Sequence, residues 1–321
     1  MTISLALRNS PEVSAETRAR VHDAAAKAGY APDPALSILN NYRRDRQLIA
    51  RHSTLAYVTN WSTADAWRVG FPSVFFAPAA TRAAQLGYTL EPFWLGAYSS
   101  QAKASHVLAY RGVRGLILAP LPHGPGGLRL TWNRFAAVAV GPTIVRPVLD
   151  RVLHDYAFSV QTVLRELRRL GYRRIGLALP ARIDAITEHR ISNSFIAETT
   201  RQAVLRGSAA WLSRDESKPS LLSWIEKLRP DCVISMTSSA HSAWLREGGY
   251  RIPKDLGFAS LRRLGDHDVS GIDYGHEQIA RSAVERVVLR LQQNELGIPA
   301  WPQHGLVPGK WSPGATTATR S

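Results

Sequence analysis

The sequence of 321 residues predicts an α/β protein with two parallel-sheet subdomains, preceded by a small all-α segment. Two observations support this prediction. Apolar strand-like runs alternate with amphipathic helix-like runs from residue 54 onward, and the alternation resumes after a break near residue 150. Strands that alternate with helices form parallel sheets that are covered on both faces. The length allows two or three compact units, each with its own core.

A helix is predicted between residues 14 and 29. Ser14 can cap it, because a serine hydroxyl accepts a hydrogen bond from a free amide of the first turn. Glu16 complements the dipole of that turn, and Gly29 ends the helix. The apolar stripe at helical spacing consists of Val21, Ala24, Ala25 and Ala28. The next stretch, ALSILNNYRRDRQ, is predicted to be a short helical linker.

The elements of the two alternating runs are predicted from their apolar periodicity. Before residue 150 the strands are TLAYVTN, TLEPFWL, VRGLILAPLP and FAAVAVG, and the helices are SVFFAPAATRAAQLGY and SQAKASHVLAYRG. After it the strands are VLHDY, RRIGLALP, DCVISMT and DLGFASL, and the helices are AFSVQTVLRELRRLGY, SNSFIAETTRQAVLRG, SLLSWIEKLR and SAHSAWLREGG. Two runs of similar length predict two subdomains.

The composition is that of a globular protein, with 45% apolar and 20% charged residues. The single cysteine, Cys232, excludes an internal disulfide framework, and its apolar surroundings predict a buried structural thiol. No secretory signal is visible, so we expect a cytoplasmic protein with no membrane partner. The net charge of +15 is spread through the body and favours polyanions without specifying one.

No catalytic motif is visible in the sequence. A nucleophile elbow, a Walker loop, a GxGxxG loop and a Cys/His zinc spacing are all missing, and the ten histidines are scattered. We therefore expect no enzyme activity, no cofactor and no metal. The run RELRRLGYRR has Arg165, Arg168 and Arg169 on one helix face, for which a solvated surface is favoured over a phosphate site.

Polar and aromatic residues at the ends of successive predicted strands suggest a cleft for a small polar ligand between the subdomains. They are Asn60, Trp61, His154, Asp155, Thr237, Ser238 and Arg262. For any one of them, a structural role in a loop is an open alternative. For Asp155 that alternative is to cap the helix beginning near Ala157, or to orient His154. Four further aromatic residues could stack on a ligand or pack in the core: Trp67, Phe71, Phe93 and Trp94.

The first 39 residues explain what the all-α segment is for. TISLALRN resembles the second half of the recognition helix of LacI/GalR-family transcriptional regulators, SPEVSAETRARVHDAAAKAGY their third helix, and YAPDPALSIL the approach to their hinge helix. The body is similar to the same family in HDYAFSVQTVLRELRRLGYRRIGLAL, LREGGYRIPKDLGFASL and GIDYGHEQIARSAVERVVLRL. The resemblance implies a two-lobed, periplasmic-binding-protein-like effector domain behind a DNA-binding head.

The implied division of the chain follows the family. It gives a partial helix-turn-helix head at 1–35, a hinge helix and linker at 36–52, a first effector subdomain at 53–150 with 274–297, and a second at 151–273 with 298–318. The expected crossovers between the subdomains lie near residues 150, 272 and 298. The resemblance also implies a homodimer that binds a palindromic operator.

The head departs from the family, because Met1 falls inside the recognition helix and the preceding helix and turn are absent. We therefore expect weak DNA binding by residues 1–30 as they stand. The resemblance assigns DNA contacts to Thr2, Ser4, Leu5, Arg8, Asn9 and Leu39. Leu5 stands where the family usually has an arginine. Leu39 matches a leucine that wedges into the minor groove, with a dimer contact as the alternative.

The expected effector site comprises Asn60, Trp61, Phe71, His154, Asp155, Arg190, Thr237, Arg262 and Tyr274. Among these, the resemblance matches Arg190, Thr237 and Arg262 to effector-binding positions of the family. Arg262 stands where the family often has an aspartate that binds a sugar hydroxyl. An arginine there favours a sugar acid or sugar phosphate over a neutral sugar. The expected function is ligand-responsive transcription regulation, and the alternative is a small-molecule sensor that has lost autonomous DNA binding.

Overall fold

The computed structural model describes residues 3, 6, 13–27, 54–205, 207–263 and 268–320. Helix α1, Ala15–Lys27, is the predicted N-terminal helix. The Ser14 hydroxyl accepts from the amide of Thr17 at 3.3 Å, which confirms Ser14 as its cap.

Fourteen strands lie in the described part of the chain. In chain order they are β1 Thr54–Thr59, β2 Thr89–Trp94, β3 Gly115–Leu118, β4 Gly126–Gly127, β5 Ala136–Val140, β6 Ile144–Arg146, β7 Asp150–Asp155, β8 Ile175–Pro180, β9 Ala209–Ser213, β10 Cys232–Ser235, β11 Gly257–Arg263, β12 Gly271–Asp273, β13 His304–Pro308 and β14 Lys310–Ser312.

Twelve of these strands form two six-stranded sheets, and β4 and β6 pair with each other. The alternation predicted two main sheets. The first has the order β13-β7-β5-β3-β1-β2 and is parallel throughout. The second has the order β14-β12-β11-β10-β8-β9 and is parallel except for the pair β12 and β14. Strands β3 and β5 are buried along their whole length, because helices cover both faces of a doubly wound sheet.

Helices pack on both sheets. They are α2 Phe76–Gln85, α3 Gln101–Tyr110, α4 Tyr156–Arg169, α5 Ala181–Ile186, α6 Arg190–Arg201, α7 Lys218–Leu228, α8 Ser238–Glu247 and α9 His276–Gln292. Two of them begin at serine caps, since Ser100 accepts from the amide of Lys103 and Ser217 from that of Ser220. We call the first sheet with its helices the first lobe, and the second sheet with its helices the second lobe.

The chain passes between the lobes at three crossovers. The first follows β7, the second lies between β12 and α9, and the third is at Gly309 between β13 and β14. The second crossover lies near residue 272, as expected from the sequence. The first and third crossovers come later in the chain than the expected residues 150 and 298. Both come later because β7 and β13 belong to the first sheet. Val152 of β7 pairs with Val140 of β5, and β13 pairs with β7. HGLVP, with its Gly and Pro, carries no strand signal in the sequence.

Several local expectations are confirmed. The thiol of Cys232 is buried, and burial raises its pKa well above the ordinary value. Arg165 and Arg169 pair with Glu166 on the surface of α4, which is the solvated face that was favoured. Trp67 and Phe93 are buried in the first lobe. None of the described helices is long and apolar enough to cross a membrane.

Candidate effector site

The two lobes meet where Phe71 of the first lobe lies against Arg262 of the second. The guanidinium carbon of Arg262, near the carboxyl end of β11, is 4.4 Å from the centre of the Phe71 ring. Phe71 also packs edge-on against Tyr274, with ring centres 5.3 Å apart. This contact joins residues that the sequence assigned to the effector site separately, from three parts of the chain.

Arg262 is a half-buried cation without a carboxylate partner among the described residues. Its Nε atom is buried and has no hydrogen-bond partner in that part of the structure. Burial lowers the pKa of this arginine, which reflects the cost of holding its charge away from water. The neighbouring polar groups are the hydroxyls of Tyr156 and Tyr274, which hydrogen-bond each other at 2.8 Å. A cation whose described hydrogen-bonding neighbours are neutral hydroxyls can bind an anion with charge-assisted hydrogen bonds.

His154 lies at the first crossover, buried among protein groups. Its Nδ1 donates to the carbonyl oxygen of Tyr274 at 2.9 Å, and its Nε2 accepts from the hydroxyl of Ser159 at 2.8 Å. Its ring stacks on that of Tyr274, with centres 3.9 Å apart. Since both ring nitrogens are engaged, His154 joins two crossovers in this conformation and offers no ring nitrogen to an effector.

The buried His154 predicts a loss of stability in mild acid. Burial lowers its pKa from 6.5 to about 4, although Asp155 and Asp273 act in the opposite direction. Between these values the unfolded chain binds a proton that the folded chain does not, so the free energy of unfolding falls as the pH is lowered from 6.5 towards 4. We expect the free energy of unfolding, measured with urea, to fall between pH 7 and pH 5 by about 2 kcal/mol more in the wild type than in His154→Gln. Equal pH dependence of the two proteins would contradict this assignment.

Three other predicted site residues have partners within the second lobe or at its edge. The carboxylate of Asp155 accepts from the amide of Phe158 at 3.0 Å, so the alternative of a helix cap is confirmed. Arg190 donates to Glu188 through Nε at 3.1 Å and Nη2 at 2.7 Å. The hydroxyl of Thr237 lies 3.2 Å from both ring nitrogens of His241.

Asn60 and Trp61 follow β1 at the edge of the first sheet. Asn60 is exposed, whereas the indole nitrogen of Trp61 donates to the carbonyl of Pro120 at 3.0 Å. The carbonyl of Trp61 in turn accepts from the indole of Trp94 at 2.8 Å. Trp61 can therefore offer a ligand its ring face but not its N–H.

A cavity of about 420 Å³ lies between the lobes, and the sequence analysis did not find it. The first lobe contributes residues 122–125 and the second contributes Arg182, Ala185 and Ile186 of α5. Helix α5 has only six residues, too few for a periodic signal, and the loop PHGP reads as an ordinary turn. Gly124 and Ile186 face each other, since a Cβ built on Gly124 would lie 3.4 Å from Ile186 Cγ1.

An ion pair also joins the two lobes. Arg151, in β7 of the first lobe, contacts Glu188 of the second at 2.8 Å, and its Nε donates to the ring of His304 at 3.0 Å. Burial opposes ionisation of Glu188, but hydrogen bonds from Arg190 and Arg151 lower its pKa overall. Glu188 and His189 both have left-handed backbone, with φ of 55° and 57°. Such strain in non-glycine residues marks segments that their surroundings hold in place.

The predicted DNA contacts lie outside the described residues. They are Thr2, Ser4, Leu5, Arg8, Asn9 and Leu39. In the part of the chain that the structure does describe, no cluster of three or more His, Cys, Asp or Glu could hold a metal ion.

Solved structures with the same fold are regulators. The Lac repressor dimer bound to operator and the anti-inducer ONPF is 18% identical, with a TM-score of 0.60 over 99% of this chain and 94% of that chain. A complex of the transcriptional regulator CelR with cellobiose is 15% identical, with a TM-score of 0.58 over 98% and 95%. A putative LacI-family regulator from Rhizobium etli is 14% identical, with a TM-score of 0.64 over 84% and 100%. At these identities the likeness shows the fold.

The family itself is shown by two sequence models that match in chain order. The model of bacterial regulatory proteins of the lacI family matches residues 1–33, and that of the periplasmic binding protein-like domain matches residues 164–317. The chain belongs to the LacI family of bacterial regulatory proteins. LacI-family membership makes it a transcription regulator with a DNA-binding head and an effector-binding body. No curated protein matches the sequence.

Proposed function

We propose that this LacI-family protein binds a palindromic operator as a homodimer and that a small anionic effector, held between its lobes, changes its affinity for that operator. The proposal includes the division of the chain into head, hinge and two effector subdomains. Solved proteins of this fold include complexes with operator, with ONPF and with cellobiose, which supports DNA and a small molecule as the two ligands.

One observation supports the proposal that the effector is an anion. Arg262 is a half-buried arginine whose Nε is buried and has no partner among the described residues, and it lies at the contact between the lobes. A ligand carboxylate or phosphate can accept from it in a bidentate manner, which offsets the cost of burying its charge. Arg190 is the second arginine of the expected site, and Glu188 already holds it. Arg262 is therefore the anion-binding residue of the proposal.

The DNA contacts of the proposal come from the resemblance of the head. Thr2, Ser4 and Arg8 can contact phosphates or base edges, and Leu5 can contact a thymine methyl. Leu39 is the proposed minor-groove wedge. These assignments make the head and hinge the DNA-binding part of the protein.

Selection of DNA from a random library by the full chain tests the proposed function. We expect enrichment of one palindromic sequence, because a two-fold symmetric dimer reads two equal half-sites. The Kd for that sequence, measured by fluorescence anisotropy at fixed salt, should then change by about tenfold on addition of an anionic effector. Enrichment of no sequence, together with effector binding by the same preparation, would favour the alternative of a sensor that does not bind DNA autonomously.

A further inference from the structure

We propose that the effector is a small carboxylic acid with an apolar body, aromatic or branched aliphatic, and not a sugar acid. This inference rests on the proposed function, because it takes the anionic effector between the lobes as given and assigns the rest of the molecule. The carboxylate would face Arg182 and Arg262, and the body would occupy the cavity between residues 122–125 and α5.

The lining of that cavity is mostly apolar. Four of its seven lining residues are Pro122, Pro125, Ala185 and Ile186. Only His123 and Arg182 bring hydrogen-bonding side chains, and Gly124 completes the lining. A volume of about 420 Å³ is in the range of small-molecule sites and has room for a single ring with its substituents. Proline and isoleucine surfaces gain from covering a ring, whereas they offer a hydroxyl nothing.

Carboxylate and carboxamide acceptors for sugar hydroxyls are missing from this lining. None of the seven described residues that line the cavity carries a carboxylate or a carboxamide. Three nearby carboxylates have partners, since Asp155 caps α4, Glu188 bonds Arg151 and Arg190, and Glu216 bonds Arg182. Asp184 of α5 bonds His189 through Oδ2, its Oδ1 has no partner among the described residues, and it does not line the cavity. Each hydroxyl that loses water without finding an acceptor costs roughly tenfold in affinity or more. A sugar acid carries several such hydroxyls, so the cavity discriminates against it.

Arg182 brings positive charge to the cavity lining. Arg182 lines the cavity, and its guanidinium contacts Glu216 at 2.9 Å while its side chain stays 61% exposed. Burial and, more weakly, the positive charge of Arg182 lower the pKa of Arg262, so the two cations act on one another. A carboxylate beside both would relieve that repulsion. Arg182 can turn towards it at little cost, because an exposed ion pair such as the one with Glu216 is weak.

Thermal unfolding of the full chain with three probes tests the inference. Benzoate and glucuronate are both monocarboxylates but differ in hydroxyl groups, and benzyl alcohol has the ring without the charge. We expect benzoate to raise the melting temperature by several degrees at about 100-fold excess over its Kd, and the other two to raise it far less. A larger shift with glucuronate than with benzoate would overturn the apolar body and leave the anionic effector standing. If neither acid raises the melting temperature, both the apolar body and the anionic effector are overturned.

Two variants, each with a matched control, test whether benzoate binds in this cavity. Arg182→Gln should abolish most of the benzoate shift, whereas Arg201→Gln, which removes an exposed arginine paired with Glu198 on α6, should leave it unchanged. Ile186→Thr should also reduce it, whereas Ile196→Thr, at a half-exposed position on α6, should not. Equal benzoate shifts in all four variants would show that benzoate binds elsewhere and would overturn the assignment.

Discussion

Replacing Gly309 by alanine should lower the free energy of unfolding by about 3 kcal/mol, because the added methyl group would overpack a buried crossover. Gly309 forms the third crossover and lies against residues of the other two. A Cβ there would overlap Ile272 Cγ2 and would lie 2.9 Å from both His154 Cε1 and Ser159 Oγ. These neighbours are buried on both sides, so they have little room to move.

Gly305→Ala is the matched control, because Gly305 lies four residues earlier in β13. A Cβ on Gly305 would meet Val152 Cγ2 at 3.6 Å, which is an ordinary contact. We expect its midpoint of urea unfolding to stay close to the wild-type value while that of Gly309→Ala falls. Equal midpoints for the two variants would show that the three crossovers do not pack as described.

Replacing Glu188 by glutamine should open the cleft. This substitution removes the charge that holds Arg151 of the first lobe and leaves that arginine, whose side chain is only 10% exposed, without a carboxylate. Uncompensated buried charge is costly, so we expect the ratio of open to closed molecules to rise by about tenfold. Double electron–electron resonance between spin labels at Tyr110→Cys and Leu212→Cys, one exposed site in each lobe, would measure it. Cys232 is fully buried and should not react with the label.

Glu198→Gln provides the control for this experiment, because its partner Arg201 lies on the same helix. Arg151→Gln should lengthen the distances as Glu188→Gln does, and the double variant should add nothing further, since both changes remove one contact. Arg190→Gln should not open the cleft, because the contact between Arg151 and Glu188 remains. Unchanged distances in Glu188→Gln would contradict the role of this ion pair in closure.

The sequence predicted those helices and strands well that are encoded by residues close together in the chain. Ser14 and its helix, the buried β3 and β5, and the cap at Asp155 all depend on local periodicity or on one side chain bonding a nearby amide. β13 was missed because its pairing with β7 joins residues about 150 positions apart. No local pattern encodes such a pairing.

The site was harder to predict for the same reason. The position of Arg262 could be found from the resemblance, and the structure brings it to Phe71. The engagement of His154 with Tyr274 and Ser159, and that of Arg190 with Glu188, depend on how the chain turns at the crossovers and after α5. Whether a polar residue faces a ligand or a protein partner is decided by these contacts, which residue type alone does not reveal.

The central claim is that the cleft binds an anion through Arg262, and titration calorimetry with pairs of probes that differ in charge tests it most directly. Benzoate against benzyl alcohol and glucuronate against glucose compare the same body with and without a carboxylate. We expect the acid that binds to do so at least tenfold more tightly than its neutral partner, and Arg262→Gln to remove that difference, because a charge-assisted hydrogen bond contributes about 1.5–3 kcal/mol. A neutral partner that binds the wild type as tightly as its acid, with the same affinity in Arg262→Gln, would contradict it.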